Sequence, residues 1–204
     1  LLALLRNRPG KMLRARLVWA SAHPQPSQGR TLHLAVGLEL LHLASIIHDD
    51  LIDRAQTRRN GPSFWRSRGA NAALLCGDYL FAQAYGEIHR SGVGQAIPLV
   101  RRMTAGMVCA EMEQLQNRFR CITKQRHRRR IRLKTARFFA VAAALGALAG
   151  KKPYDLLRSF YRIGLDVGLA YQLQDDLSDI TGDLRQGVLG LPLLQLIEEQ
   201  PDAE

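Results

Sequence analysis

Apolar residues recur at helical spacing along nearly the whole chain, and they predict a series of helices. The pattern is most continuous from Thr31 to Ile52, where apolar side chains lie on nearly all faces, as in a central buried helix. The other predicted helices are Asn71 to His89, Gly94 to Gln116, Ile131 to Ala149, Tyr154 to Ser178 and Leu191 to Glu199. No alternating β-branched stretch is long enough to predict a strand. We therefore expect an all-α fold in which residues 1–204 form a single domain.

The charge balance is strongly basic, with a formal net charge of +11. Such a charge permits binding to nucleic acid, to anionic membrane or to polyanionic small molecules. The densest run of basic residues, Lys124 to Lys134, is either a nucleic-acid patch or a solvated loop with a first helical turn. We favour the solvated loop, because no aromatic residues are interleaved with the charges and no nucleic-acid module is recognisable. We expect no nucleic-acid partner.

The cysteines and the apolar runs indicate where the protein works. Cys76, Cys109 and Cys121 are scattered without the spacing of a disulfide framework or a zinc site, which favours a reducing compartment. The longest apolar run, Phe138 to Gly150, is shorter than the roughly 20 residues of a membrane-spanning helix. We interpret it as a buried core helix. No signal peptide is visible, and we expect a cytoplasmic protein.

The pattern Asp-Asp-x-x-Asp occurs twice, first as Asp49, Asp50 and Asp53 and later as Asp175, Asp176 and Asp179. On a helix, carboxylates three or four residues apart share a face and repel one another. A single copy is most often a solvated acidic face, but both copies lie directly behind long apolar runs. Hard divalent cations with oxygen ligands would neutralise such clusters. Two clusters facing each other would hold several Mg²⁺ ions, an arrangement suited to a diphosphate.

Several short motifs accompany the two aspartate clusters in a fixed order. They are Gly10 to Arg14 (GKMLR), Leu40 to Asp53 (LLHLASIIHDDLID), Arg58 to Pro62 (RRNGP), Gly77 to Leu80 (GDYL), Glu111 to Gln114 (EMEQ), Lys134-Thr135 and Tyr171 to Asp179 (YQLQDDLSD). This ordered set resembles the trans-isoprenyl diphosphate synthases, of the medium- or long-chain type, and it spans most of the chain. No single motif is decisive, whereas the ordered set is specific.

The resemblance implies a fold and a reaction. The fold is an all-α helical bundle around a central active-site cavity, and the reaction joins an allylic diphosphate to isopentenyl diphosphate, head to tail, with release of diphosphate. About three Mg²⁺ ions, or Mn²⁺ in their place, would assist departure of the allylic diphosphate. The resemblance assigns these ions to all six aspartates, with Asp49, Asp53 and Asp175 as the direct ligands.

The remaining site residues also follow from the resemblance. Isopentenyl diphosphate is assigned to Lys11, Arg14, His42 and Arg59. The allylic diphosphate is assigned to Arg58, Lys134 and Gln172, and Thr135 and Gln172 line the reaction centre. Arginine forks and lysine ammonium groups suit phosphate oxygens. Read alone, Arg58 and Arg59 would be solvated surface residues and His42 a core histidine. We interpret His48 as structural.

Product length depends on the helix that precedes the first motif. Ala44 and Ser45 are small, whereas short-chain members of the family place aromatic rings there as a floor. The hydrocarbon tail could then extend one helical turn, about 5.4 Å, towards Leu41, with Leu38 beyond it, and either residue could form a deeper floor. The alternative is that Ala44 and Ser45 only permit close helix packing. We expect a product of geranylgeranyl length or longer, and we expect replacement of Ala44 by Phe to shorten it.

One departure and three alternatives remain. After Asp183 the chain lacks the Lys-bearing loop of the family, and family members are longer at both ends. Either the natural chain carries segments that this sequence omits, which we favour, or it is a truncated, impaired homologue.

A terpene cyclase would not need the second Asp motif, and a non-catalytic partner subunit of a heteromeric synthase would usually lose some of the six aspartates. A basic nucleic-acid-binding module rests on charge alone. By resemblance we expect a homodimer, with transient membrane contact.

Overall fold

The computed structural model describes residues 10–24, 27–58 and 61–199. The chain divides into two compact units. The first takes its described residues from the range Leu1–Ile97 and from Leu145–Lys152, and the second comprises Pro98–Ala144 and the described part of Pro153–Glu204. The single domain expected from the sequence stays a prediction.

Helices account for nearly all regular structure in the described ranges. In chain order they are α1 Leu13–Ala22, α2 Gln28–Ile52, α3 Phe64–Arg68, α4 Ala70–Arg90, α5 Ala96–Gln116, α6 Lys124–Ile131, a π-helical turn Arg132–Ala136, α7 Arg137–Ala149, α8 Tyr154–Ser178, α9 Ile180–Arg185 and α10 Leu191–Glu199. Two strands of two residues each, β1 Thr57–Arg58 and β2 Gly61–Pro62, pair antiparallel. The all-α prediction is confirmed.

The predicted helices are all present, and two of them have the predicted bounds. α8 and α10 begin and end where the apolar pattern indicated, and α2 begins at Gln28 rather than Thr31. The prediction was wrong for the basic tract, which forms the full helix α6 instead of a solvated loop with a first turn. It also missed the pair of strands, because two residues are too few to show an alternating pattern.

The core of the first unit forms where α2 packs against α1 and α4. Leu34, Leu38 and Leu41 on α2 are fully buried, as is Ile88 on α4. By length and composition α2 could also cross a membrane. Leu34, Leu38 and Leu41 are packed inside the first unit, whereas Leu32 and Val36 are exposed.

The second unit is organised by the contact of α8 with the π-helical turn. Gly164 lies where α8 crosses the start of α7, and Gly168 lies where it crosses the π-helical turn. A Cβ atom at Gly164 would lie 2.6 Å from the carbonyl oxygen of Phe139, and one at Gly168 would lie 2.6 Å from Cα of Ala136. Only glycine allows helices to approach this closely. The close approach brings the following turns of α8 alongside the residues of the π-helical turn.

Candidate active site

Both aspartate motifs lie at the same position of their helices. α2 and α8 each span 25 residues, and each ends at the residue before the third aspartate, Asp53 or Asp179. The carboxyl end of a helix carries the negative pole of the helix dipole, where each carboxylate costs about 0.3–1 kcal/mol. Three carboxylates at such an end are therefore unfavourable unless a cation neutralises them.

In the first motif, the second aspartate is buried and the other two are half-buried. Asp50 is 4% exposed, and the guanidinium Nη1 of Arg58 lies 3.5 Å from its Oδ1. Burial raises the pKa of Asp50 above its ordinary value, an effect that the charge of Asp53 reinforces and the charge of Arg58 opposes. Arg58 was predicted from the sequence as an allylic diphosphate ligand, and the structure brings it to this motif.

His48 has the structural role expected from the sequence. Its Nε2 lies 3.1 Å from the backbone carbonyl oxygen of Leu74, so the ring donates a hydrogen bond to α4. The ring also lies directly over Gly77, where a Cβ atom would collide with it. The glycine of the Gly77 to Leu80 motif is thus explained by the close packing of α2 on α4.

The residues predicted to bind isopentenyl diphosphate are distributed over α1 and α2. Lys11 is exposed just before α1, Arg14 is buried on α1, and His42 is half-buried on α2. Arg59 lies outside the described residues. All of these assignments stay predictions.

Of the residues predicted to set product length, Ala44 packs against α4. Ala44 is fully buried in a cluster with Ile47, Ala73 and Leu80. The hydroxyl of Ser45 donates to the carbonyl oxygen of His42 at 2.8 Å. This environment corresponds to the helix-packing alternative left open by the sequence. The role of Ala44, Ser45 and Leu41 in chain length stays a prediction.

The second motif repeats the arrangement of the first. Asp176 is 4% exposed, whereas Asp175 and Asp179 are exposed. Burial would raise the pKa of Asp176, but hydrogen bonds from His127 and Gln172 outweigh it and hold the pKa below its ordinary value. Asp179 caps α9, because its Oδ1 accepts a hydrogen bond from the backbone N–H of Gly182 at 3.1 Å.

The π-helical turn carries Thr135, predicted to line the reaction centre, and Lys134, predicted to bind the allylic diphosphate. Thr135 donates a hydrogen bond from Oγ1 to Oε1 of Gln172 at 2.6 Å, and the ammonium group of Lys134 pairs with the carboxylate of Glu111. A π-helical turn adds one residue to a helical turn and is often found at functional sites. Glu111 is buried, so the ammonium group of Lys134 is paired with a buried carboxylate rather than with solvent.

Sequence reasoning missed His127 and Arg130, which lie in the basic tract. Both are buried, and His127 contacts Asp176. Helical spacing could have found them, since residues 127, 130, 131 and 134 share one face of a helix. The exposed arginines of the tract pair differently: Arg126 and Arg129 both contact Glu113.

A fourth carboxylate follows the second motif. Burial raises the pKa of Asp183 to about 6, and the charges of Asp176 and Asp179 add to the effect against the opposing charges of Arg130 and Lys134. Within the described ranges, no three His, Cys, Asp or Glu side chains come together as a metal site. The metal-binding role of the six aspartates stays a prediction.

Comparison with known proteins decides the family. A family model described as polyprenyl synthetase matches residues 2–199. The chain belongs to the polyprenyl synthetase family. The resemblance seen in the ordered sequence motifs is confirmed.

Relatives in this family include several long-chain synthases. The chain is 34% identical to heptaprenyl diphosphate synthase component 2 of Geobacillus stearothermophilus, over 94% of its own length and 64% of the relative's. It is 30% identical to nonaprenyl diphosphate synthase of Mycobacterium tuberculosis, over 96% of its own length and 63% of the relative's. The chain therefore spans less than two thirds of the length of these polyprenyl synthetases.

Solved structures of polyprenyl synthetases have the same fold. A decaprenyl diphosphate synthase from Rhodobacter capsulatus superposes with a TM-score of 0.92 and 28% identity, over 98% of this chain and 66% of that one. Heptaprenyl diphosphate synthase from Staphylococcus aureus gives a TM-score of 0.92 and 27% identity, over 98% and 68%. The predicted isoprenoid-synthase fold is confirmed.

Proposed function

We propose that this chain transfers prenyl groups, condensing an allylic diphosphate with isopentenyl diphosphate to make a polyprenyl diphosphate of geranylgeranyl length or longer. The observation that carries the proposal is the matched placement of two complete aspartate motifs at the ends of α2 and α8. Neither motif has lost an aspartate, and the chain is a polyprenyl synthetase by family.

The donor set fits a hard divalent cation. In each motif the first and third carboxylates are accessible to solvent, and the second, Asp50 or Asp176, is buried within its own unit. Accessible carboxylate oxygens at the negative end of a helix are suitable ligands for Mg²⁺. We propose Asp49, Asp53 and Asp175 as direct ligands, with Asp50 and Asp176 supporting them. Bound Mg²⁺, or Mn²⁺, supplies Lewis-acid stabilisation of the departing diphosphate.

Cationic side chains hold the diphosphates in this proposal. Lys11, Arg14, His42 and Arg59 bind isopentenyl diphosphate, and Arg58 and Lys134 bind the allylic diphosphate together with Gln172. Lys134 exchanges Glu111 for the phosphate oxygens when substrate binds, and Arg58 shifts from Asp50 in the same way. Both cations already lie beside carboxylates, and phosphate oxygens are anionic acceptors of the same kind. Each cation can therefore change its partner and keep its charge.

Product length depends, in this proposal, on the residues of α2 that precede the first motif. Relatives are named for products from geranylgeranyl to nonaprenyl diphosphate. Small residues at Ala44 and Ser45 support the longer products, with Leu41 as the next floor, whereas the packing of Ala44 against Ala73 supports a purely structural role.

A second candidate is that the chain works only with a partner subunit. Two relatives carry the words "component 2" in their names, and this chain lacks the Lys-bearing loop after Asp183. In this case prenyl transfer requires a second polypeptide, and a homodimer is inactive. In the first case we expect a homodimer to suffice.

Both candidates are tested by incubating the purified chain with isopentenyl diphosphate, Mg²⁺ and allylic primers of graded length. Chromatography of the products identifies activity, primer preference and chain length. The Asp175→Asn variant is the control, and light scattering gives the oligomeric state. Elongation by the chain alone supports the first candidate. No elongation at any primer length, with a folded protein, overturns it and leaves the partner-subunit candidate, which then requires activity to return with an added partner.

A further inference from the structure

The basic helix α6 places a buried imidazole against the second aspartate motif. His127 is 1% exposed, and its Nε2 lies 3.0 Å from Oδ2 of Asp176. Its other ring nitrogen, Nδ1, lies 2.9 Å from Nη2 of Arg130, which is also buried. A guanidinium has only donors, so Nδ1 must accept this hydrogen bond. Nε2 therefore carries the proton and donates to Asp176, and the imidazole is neutral in this arrangement.

The opposite oxygen of Asp176 is also engaged. Gln172 donates from Nε2 to Oδ1 of Asp176 at 2.9 Å, and its own Oε1 accepts from Thr135 at 2.6 Å. A continuous chain of hydrogen bonds thus runs from the π-helical turn through α8 to α6. Both carboxylate oxygens of Asp176 are held by donors of the second unit, and the side chain has a single orientation.

Fixing Asp176 also fixes the direction of its neighbours. Successive residues of a helix are rotated by about 100°, and residues four apart share a face. When Asp176 is held towards α6, Asp175, rotated by about 100° from it, lies on another, accessible face of the last turn of α8, and Asp179 follows the end of the helix; both are exposed. Without an anchor, the end of a helix frays, and the mutual repulsion of the carboxylates favours fraying.

Apolar packing alone does not explain the arrangement. Removing an arginine and an aspartate from water is costly, and apolar residues of similar volume are often at least as stabilising. Here the neutral ring of His127 links Arg130 to Asp176. The positive charge of Arg130 thus compensates the negative charge of Asp176 through the ring rather than by direct contact. Hydrogen-bonded partners of this kind orient metal ligands in many proteins, and their loss typically reduces metal affinity or activity by roughly 10–100-fold.

We propose that His127, supported by Arg130, is a positioning residue: it anchors Asp176 so that the last turn of α8 presents Asp175 to a divalent cation. The proposal rests on the proposed function, because it assumes that the second motif binds a cation with diphosphate.

The test measures metal binding separately from catalysis. Mn²⁺ binding in the presence of inorganic diphosphate is followed by electron paramagnetic resonance in an Asp49→Asn, Asp53→Asn background, where the second motif dominates. His127→Phe removes both hydrogen bonds, whereas His127→Gln retains a donor and an acceptor. Arg130→Met is compared with Arg128→Met, its exposed neighbour on the same helix.

We expect His127→Phe and Arg130→Met to weaken Mn²⁺ binding by roughly 10–100-fold. His127→Gln should recover most of the affinity, and Arg128→Met should bind as the parent does. In the chain with both motifs intact, kcat should fall in His127→Phe while KM for isopentenyl diphosphate is retained. The ¹⁵N spectrum of histidine-labelled protein should show His127 protonated at Nε2 and not at Nδ1.

Several results would overturn the proposal. They are a folded His127→Phe variant with parental Mn²⁺ affinity, a His127→Gln variant that is folded yet as impaired as His127→Phe, the opposite imidazole tautomer, or a parent that binds no Mn²⁺. If His127→Phe does not fold, equal affinities of Arg130→Met and Arg128→Met decide against it. A chain that shows the expected metal binding but no prenyl transfer refutes the proposed function instead.

Discussion

The imidazole of His48 fills the space that a side chain at Gly77 would need. A Cβ atom built on Gly77 would meet Nε2, Cδ2 and Cε1 of the ring, all closer than van der Waals contact allows. The ring itself is held by its hydrogen bond to Leu74 and by a tilted contact with Phe81, with 5.7 Å between ring centroids. This packing joins α2 to α4 one residue before the first aspartate motif begins.

Replacing Gly77 with Ala should therefore destabilise the protein. Alanine gains about 1 kcal/mol over glycine inside a helix, but overpacking typically costs about 1–3 kcal/mol. Because the new atom meets a ring fixed by other contacts, we expect the cost to lie in the upper part of this range, with a net loss of up to about 2 kcal/mol in the free energy of unfolding, measured by urea denaturation. Gly86→Ala on the same helix is the matched control, since nothing lies within 4 Å of its added atom, and it should stabilise the protein. Equal effects of the two substitutions would contradict the packing.

The sequence predicted the aspartate motifs and their helices, and it did so for a physical reason. α8 has the predicted bounds because Pro153 precedes it and a sustained helical pattern continues to Ser178. The buried partners of Asp176 were not predicted, because a run of basic residues is solvated unless other elements cover it. Here α10 packs against α6, which no local pattern indicates. The π-helical turn was equally invisible, since a single added residue leaves hydrophobic spacing almost unchanged.

Asp183 should make stability depend on pH in the metal-free protein. Its pKa is raised to about 6 from 3.8, so the folded protein binds a proton at a pH where the unfolded chain has lost it. Its contribution to stability is therefore greatest at low pH and is lost as pH rises from about 4 through about 6. We expect Asp183→Asn to raise Tm at pH 7 and to change it little at pH 4.

Thermal unfolding in EDTA measures this difference. Asp166→Asn, at an exposed position on α8, is the control and should leave Tm nearly unchanged at both pH values. The facing charges of Asp176, Asp179, Arg130 and Lys134 remain in both variants. A Tm difference between Asp183→Asn and the parent that is the same at pH 4 and pH 7 would refute the shift.

Ala44→Phe should shorten the product if the proposed tunnel follows α2. The substitution also has a structural cost, because Ala44 is fully buried against Ile47, Ala73 and Leu80 and overpacking costs about 1–3 kcal/mol. Ser45→Phe, at a half-buried position, tests the same face with less strain. Product chromatography with a fixed primer gives chain length, and thermal unfolding gives the cost. A lower Tm with unchanged product length in both variants would favour the helix-packing alternative.

The two buried aspartates should respond in opposite directions to the same substitution. Asp50 has a raised pKa because burial outweighs the attraction of a half-exposed Arg58. Its ionised form therefore weakens the folded state at neutral pH, and the weakening disappears as pH falls below its pKa. Asp50→Asn removes the charge, and we expect Tm at pH 7 to rise.

Asp176 has a lowered pKa, so its ionised form stabilises the fold above the ordinary pKa of 3.8, and this contribution is lost as pH falls through the lowered value. In Asp176→Asn, either orientation of the amide turns an NH₂ group towards a donor, His127 or Gln172. One buried hydrogen bond is lost and a donor is left unsatisfied, which costs about 1–3 kcal/mol. Tm at pH 7 in EDTA should fall, with Asp166→Asn again unchanged. A rise of Tm in both variants would show that burial alone governs both aspartates, and that the hydrogen bonds of His127 and Gln172 do not distinguish the two motifs.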